Sequence, residues 1–148
     1  MVTLYLDDFS VGQRFVTETL SVEAARIKTF AAEFDPQPFH LDERAAEASF
    51  FRGLAASGWH TAALTMQLIV TSDFKPAGGV IGAGLEEFRW PNPVRPGDEI
   101  HVECEVLDVR PSRSRPTEGL LKVRNTTLNQ NGDAVLEQVV NLVVQRRP

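Results

Sequence analysis

The run Thr61-Ala62-Ala63-Leu64-Thr65-Met66-Gln67-Leu68-Ile69-Val70 decides the fold. It carries no charged residue, is apolar on nearly every side and is too short to span a bilayer, so it reads as a helix buried on all faces. Gly58 stands just ahead of it, after Gly53-Leu54-Ala55-Ala56-Ser57. Downstream, the stretches 79–90, 98–109, 118–129 and 134–145 carry β-branched residues in partial alternation and read as strands. Pro91-Asn92-Pro93 and Arg95-Pro96-Gly97-Asp98 break the first from the second, and a polar connector spans 110–116. Asn131-Gly132 marks a tight turn between the last two. A long, curved antiparallel sheet wrapped around one central buried helix is the arrangement that satisfies both patterns, an α+β class.

Upstream, residues 7–12 read as a loop leading into a strand over 14–20. Ser21 is placed to cap a helix over 22–34 whose apolar face would carry Val22, Ala25, Ile27, Phe30, Ala31 and Phe34. Asp35-Pro36 ends that helix, and a short helix is expected over 42–48.

The chemistry lies between these helices, in Phe34-Asp35-Pro36-Gln37-Pro38-Phe39-His40-Leu41-Asp42. Each proline fixes its own φ and pushes the preceding residue out of the helical region, which predicts a stiff, extended segment. A carboxylate and an imidazole five residues apart on such a segment can share one water, polarise it and exchange its proton. That is the minimum equipment for adding water to a double bond or removing it. The same residues also suit ordinary turn chemistry.

With 148 residues, the chain is read as one domain, 1–148, long enough for a real core. Its 43% hydrophobic and 24% charged residues are those of an ordinary globular protein, and no apolar run is long enough for a membrane helix. A net charge of −5, with basic residues clustered only at Arg110, Arg113 and Arg115, excludes nucleic acid as the expected partner. The single cysteine, Cys104, excludes an internal disulfide and sits in a strand-like run as a small core residue. Three histidines without metal-like spacing give no metal site. The start of the chain lacks a basic segment followed by an apolar run, so no signal peptide and a cytoplasmic location are expected.

Nearly end to end, the chain resembles the MaoC-like dehydratases, including the (R)-specific enoyl-CoA hydratases, which have the hotdog fold. The hydratase motif is matched by Phe30-Ala31, then Asp35-x-Gln37-Pro38-x-His40-x-Asp42, then an apolar stretch ending at Gly58. A later pattern of an aromatic or arginine, then Pro-Val, then Gly-Asp, is matched by Arg89-Trp90-Pro91-Asn92-Pro93-Val94-Arg95-Pro96-Gly97-Asp98. The resemblance implies reversible addition of water to a trans-2-enoyl-CoA, giving a 3-hydroxyacyl-CoA of R configuration. Asp35 and His40 would hold the catalytic water, and Gly58 would offer its N–H to the thioester oxygen at the helix N-terminus. Gln37 stands where the family usually has Asn, and Ser57 where it often has His; both bear on substrate preference. Gln37, Ser57, Trp59 and Arg89 are the expected substrate-binding residues. No cofactor is implied beyond the coenzyme A carried by the substrate. An open sheet edge implies a homodimer, or a higher oligomer of dimers, with sites near the interface.

Other residues admit two readings each. His60 could line the acyl pocket, but is expected to cap polar groups near the helix start. Trp59 is expected to pack under the start of the helix or to shape the acyl tunnel. Thr61 and Thr65 are expected to bond back to helix carbonyls. Phe39 is expected to pack on the central helix, and His101 to lie at the surface. Arg89, Arg95 and Lys75 are candidates for the phosphates of coenzyme A or plain surface charges. Two rival functions remain open: a hotdog acyl-CoA thioesterase and a non-catalytic acyl-CoA-binding module. The thioesterases usually place a carboxylate on or near the central helix, and none lies between Gly58 and Ser72.

Overall fold

Alternation along three long strands builds the sheet. A computed structural model describes residues 2–148. In β4 (Glu99–Pro111), Ile100, Val102, Cys104 and Val106 point inward and are buried, while Glu99, His101, Glu103 and Glu105 take the opposite face. β5 (Glu118–Leu128) buries Leu121, Val123, Asn125 and Thr127 in the same rhythm, and β6 (Ala134–Gln145) contributes Val140, Leu142 and Val144. With β1 (Arg14–Val16), β2 (Leu20–Ser21) and β3 (Gly82–Arg89), they form one six-stranded antiparallel sheet. Its order is β1-β4-β5-β6-β3, with β2 also paired to β4. Register shifts interrupt β4 between Val106 and Asp108, and β3 at two places, the local irregularity that lets long strands curl. The hairpin between β5 and β6 turns through Gly132 at φ 78°, a conformation that glycine adopts without steric cost.

The expected strand over 14–20 is two short strands. Between them the Thr17 N–H donates to the Val102 carbonyl, and the Thr17 hydroxyl accepts from the Val102 N–H at 2.9 Å. Ser21 is therefore the last residue of β2, not a helix cap. α1 (Ala24–Phe34) begins three residues later with Glu23 at its N-cap and buries Ile27 and Ala31. Phe34, expected on its apolar face, is 64% exposed and leans on Phe30. Nor is 35–42 extended throughout: Pro38 occupies the first position of a single helical turn, α2 (Pro38–Leu41), where its missing N–H costs nothing. The short α3 (Glu43–Glu47) follows, with the Asp42 carboxylate accepting the Ala45 N–H.

α4 (Gly58–Val70) lies on the concave face of the sheet, with Leu64, Leu68 and Ile69 in one core cluster with Val102, Cys104, Val123 and Val140. The Thr65 hydroxyl donates to the Thr61 carbonyl and meets the Thr127 hydroxyl of β5 at 2.7 Å. Thr61 bonds back to Ser57. The helix is not wrapped on all sides, because Trp59, Met66 and Val70 are exposed. Their side of the helix faces β3, the last strand of the sheet, which is itself mostly exposed. Burial pushes the Cys104 thiol up to about 12, an inert core position. Among the described residues, no helix is long and apolar enough to cross a membrane.

Candidate active site

The helical turn α2 turns His40 inward, where it is 4% exposed among the rings of Phe39 and Phe51. Its Nδ1 lies 2.6 Å from the Ala55 carbonyl oxygen. A carbonyl only accepts, so Nδ1 carries the proton, and in the neutral ring Nε2 presents a lone pair. Nε2 faces the Asp35 carboxylate, with Oδ2 at 3.3 Å. Two acceptors at that distance do not bond each other directly.

Asp35 follows directly on α1. The Gln37 side-chain amide donates to its Oδ1 at 2.6 Å. Burial by itself would raise the Asp35 pKa, but hydrogen bonds from Gln37 and Ser57 and the proximity of His40 outweigh it and hold the carboxyl below its ordinary value. Ser57 is fully buried and is the N-cap of α4, its hydroxyl accepting the Trp59 N–H at 3.3 Å. That leaves the Gly58 N–H, at the positive end of the α4 dipole, without an acceptor among the described residues.

Asp35, His40 and Gly58 line one cavity of about 600 Å³, with Phe50, Phe51, Trp59 and Trp90 among its other walls. Trp59 does not pack under the start of the helix. It is 61% exposed and stacks on Phe88, with Trp90 edge-on at 5.4 Å. Arg89 lies outside the cavity wall, paired with Glu137 across β3 and β6 at 3.2 Å. Arg95 is not a plain surface charge: its guanidinium donates to the carbonyls of Phe51, Gly53 and Leu54. Lys75 reaches the Val70 carbonyl at the end of α4. Phe39 packs on His40 and Phe51. His60 does not cap polar groups. It is buried flat against Phe30, 4.6 Å between centroids, with Nδ1 unpartnered among the described residues.

Ala55 and Trp90 are contributors to which sequence reasoning gave no role, and Arg95 is one to which it gave a different role. Ala55 acts through its carbonyl, which no residue type announces. Trp90 and Arg95 lie within the quoted Arg89–Asp98 motif, but their partners are distant backbone groups.

Residues 8–128 match the MaoC like domain family. The chain belongs to this MaoC-like family. A MaoC-like dehydratase from Rhodospirillum rubrum is 58% identical and superposes with a TM-score of 0.95 over 98% of this chain and 99% of that one. The 3-hydroxybutyryl-CoA dehydratase of Methylorubrum extorquens is 35% identical over 115 residues, 76% of this chain and 69% of its own. The unliganded R-hydratase PhaJ1 of Pseudomonas aeruginosa is 27% identical with a TM-score of 0.75, covering 99% of this chain and 88% of that one. The sheet wrapped on α4 is thus the MaoC-like hotdog fold, and the family supports hydratase or dehydratase chemistry in general terms.

Proposed function

We propose that this MaoC-like chain reversibly hydrates a trans-2-enoyl-CoA to the 3-hydroxyacyl-CoA, at Asp35 and His40. The observation that carries the reading is the Asp35–His40 pair, 3.3 Å apart with His40 Nδ1 committed to Ala55, on a cavity that also includes the start of α4. In this reading the pair holds a water between two acceptors. As its oxygen bonds to Cβ of the enoyl group, its proton passes to the pair, and the Cβ=Cα electrons move toward the thioester. The Gly58 N–H and the α4 dipole stabilise the enolate oxygen that forms. The pair then returns a proton to Cα, so the elements of one water are added and both residues are restored. Dehydration is the reverse.

Gln37 and Ser57 serve the reaction by keeping Asp35 ionised, and Trp59 shapes the mouth of the cavity. Arg89 has its own carboxylate partner and is given no substrate contact. The relatives that act as an (R)-hydratase and a 3-hydroxybutyryl-CoA dehydratase support the R configuration and a coenzyme A thioester. A thioesterase reading is weaker, since α4 itself bears no Asp or Glu.

The same reading includes a homodimer. β3 leaves one edge of the sheet unpaired, and Met66 and Leu85 stand exposed beside an apolar groove of about 370 Å³. Edge pairing about a two-fold axis would cover both. A gel-filtration mass of one chain, with full activity, would count against it.

The test is hydration of crotonyl-CoA by wild type beside Asp35→Asn and His40→Ala. Loss of the acid–base pair is expected to lower the rate by about two to four orders of magnitude. Variants that retain wild-type turnover, or a wild type inactive on crotonyl-CoA and on longer and branched enoyl-CoAs, would overturn the reading.

A further inference from the structure

Trp90 stands at an unusual place for an exposed aromatic residue. It leaves β3 at the break before Pro91-Asn92-Pro93, 32 residues along the chain from Gly58, yet its indole N–H donates to the Gly58 carbonyl at 2.9 Å. The flat of the same ring closes over the glycine. A Cβ built on Gly58 would stand 2.6 Å from Cε2 and 2.8 Å from Cζ2 of Trp90, far inside van der Waals contact. The ring is braced in turn, edge-on to Phe88 at 4.8 Å and to Trp59 at 5.4 Å.

The first turn of a helix is where backbone bonding is weakest, because its leading N–H groups have no partner within the helix. An oxyanion donor is effective only if it is already aimed when charge develops, and a displacement of about 1 Å can cost on the order of a hundredfold in rate. Gly58 has the least conformational restraint of any residue type. Its carbonyl is anchored by a side chain from another element, and its free face is blocked by the same side chain. We infer that Trp90 is a positioning residue for the oxyanion donor: its N–H holds the carbonyl of Gly58, the residue whose own N–H is the donor, and its ring obliges position 58 to be glycine. This rests on the reading of Gly58 as the oxyanion donor.

The inference makes Trp90 and Gly58 a coupled pair, and it places the cost of losing the Trp90 N–H in kcat, which a packing role alone would not. Trp90→Phe keeps an aromatic ring but removes the pyrrole half of the indole with its N–H. Its kcat for crotonyl-CoA hydration is expected to fall about tenfold to a hundredfold. KM should change less than kcat, since an aromatic ring still stands in the cavity wall while the bond behind the oxyanion donor is lost. Gly58→Ala is expected to lose most activity in the wild-type background. In Trp90→Leu, where the ring that meets the new methyl is gone, the same change should cost little further. A thermal melt of each variant separates these effects from unfolding. Unchanged kcat in Trp90→Phe, or equal costs of Gly58→Ala in both backgrounds, would overturn the inference while leaving the hydratase reading intact. Full activity of Asp35→Asn and His40→Ala, or an inactive wild type, would overturn both.

Discussion

His40 gives its Nδ1 proton to the carbonyl of Ala55, 15 residues away and 2.6 Å distant, and this bond decides what Nε2 can do. A ring held in that tautomer offers its lone pair to the cavity in the neutral state and a second proton once charged. The loop before α4 thus sets the chemistry of a residue on α2 without contributing a side chain.

The same pair predicts a pH response. Hydrogen bonds from Gln37 and Ser57 hold the Asp35 carboxyl low against the upward push of burial. Gln37→Ala or Ser57→Ala removes a donor to the ionised form, so the Asp35 pKa should rise. The acid limb of kcat/KM for enoyl-CoA hydration is then expected at higher pH than in wild type. A limb that stays in place in both variants would show that these donors do not tune Asp35.

His60 should make stability pH-dependent. Burial, helped by the charge of Arg26, takes its pKa from 6.5 to about 4. Between those values the unfolded chain binds the proton and the folded one does not, so stability rises with pH across the window and is lost as pH falls from about 6.5 to about 4. At about 1.4 kcal/mol for each tenfold change, the loss is at most roughly 3 kcal/mol. Urea titrations of wild type and His60→Leu at several pH values should show the advantage of wild type shrinking in acid. Parallel curves would refute the assignment.

An asymmetry is expected at the contact between α4 and β5. Thr65 has two partners, the Thr61 carbonyl and Thr127, whereas among the described residues the only side-chain partner of Thr127 is Thr65. Thr65→Val strands a fully buried hydroxyl and should cost about 1–3 kcal/mol. Thr127→Val leaves Thr65 bonded to Thr61 and should cost less, about 1 kcal/mol or below. Equilibrium unfolding of the two variants and of the double variant measures the difference, and equal costs would contradict it.

Arg95 is expected to be irreplaceable by lysine. Its planar guanidinium reaches the carbonyls of Phe51, Gly53 and Leu54 together, a spread that one ammonium cannot match. Arg95→Lys should lower both the melting temperature and the hydration rate, since the freed loop carries the Ala55 carbonyl that orients His40. A variant with a wild-type melt and rate would show that the loop holds itself.

Much of this was legible in the sequence. The four downstream strands lie within a few residues of where alternation put them; in β4, β5 and β6 that alternation buries one face, whereas β3 stays mostly exposed. Asp35 and His40 share a cavity, as their spacing suggested, although His40 reaches it on a helical turn begun by the very proline that had argued for an extended path. Ser21 looked like a cap because its hydroxyl suits one, but pairing with Glu99 in the sheet claimed it first. The apolar run of α4 did not distinguish the residues that the sheet covers from those it leaves exposed, so Met66 and Val70 read as core. Contacts made through backbone oxygens, at Ala55, Gly58 and the loop under Arg95, leave no trace in residue identity.

That last contact bears on how such a chain can change over time. Arg95 grips carbonyl oxygens, which every amino acid supplies, and the side chains at Phe50 and Arg52 take no part in the tie. Both stand on the cavity wall and both are exposed. Mutation can therefore alter the bulk and charge at the mouth while Arg95 still ties the chain path to Ala55, so in the proposed reading new acyl groups can be tried without unsettling the machinery that would act on them.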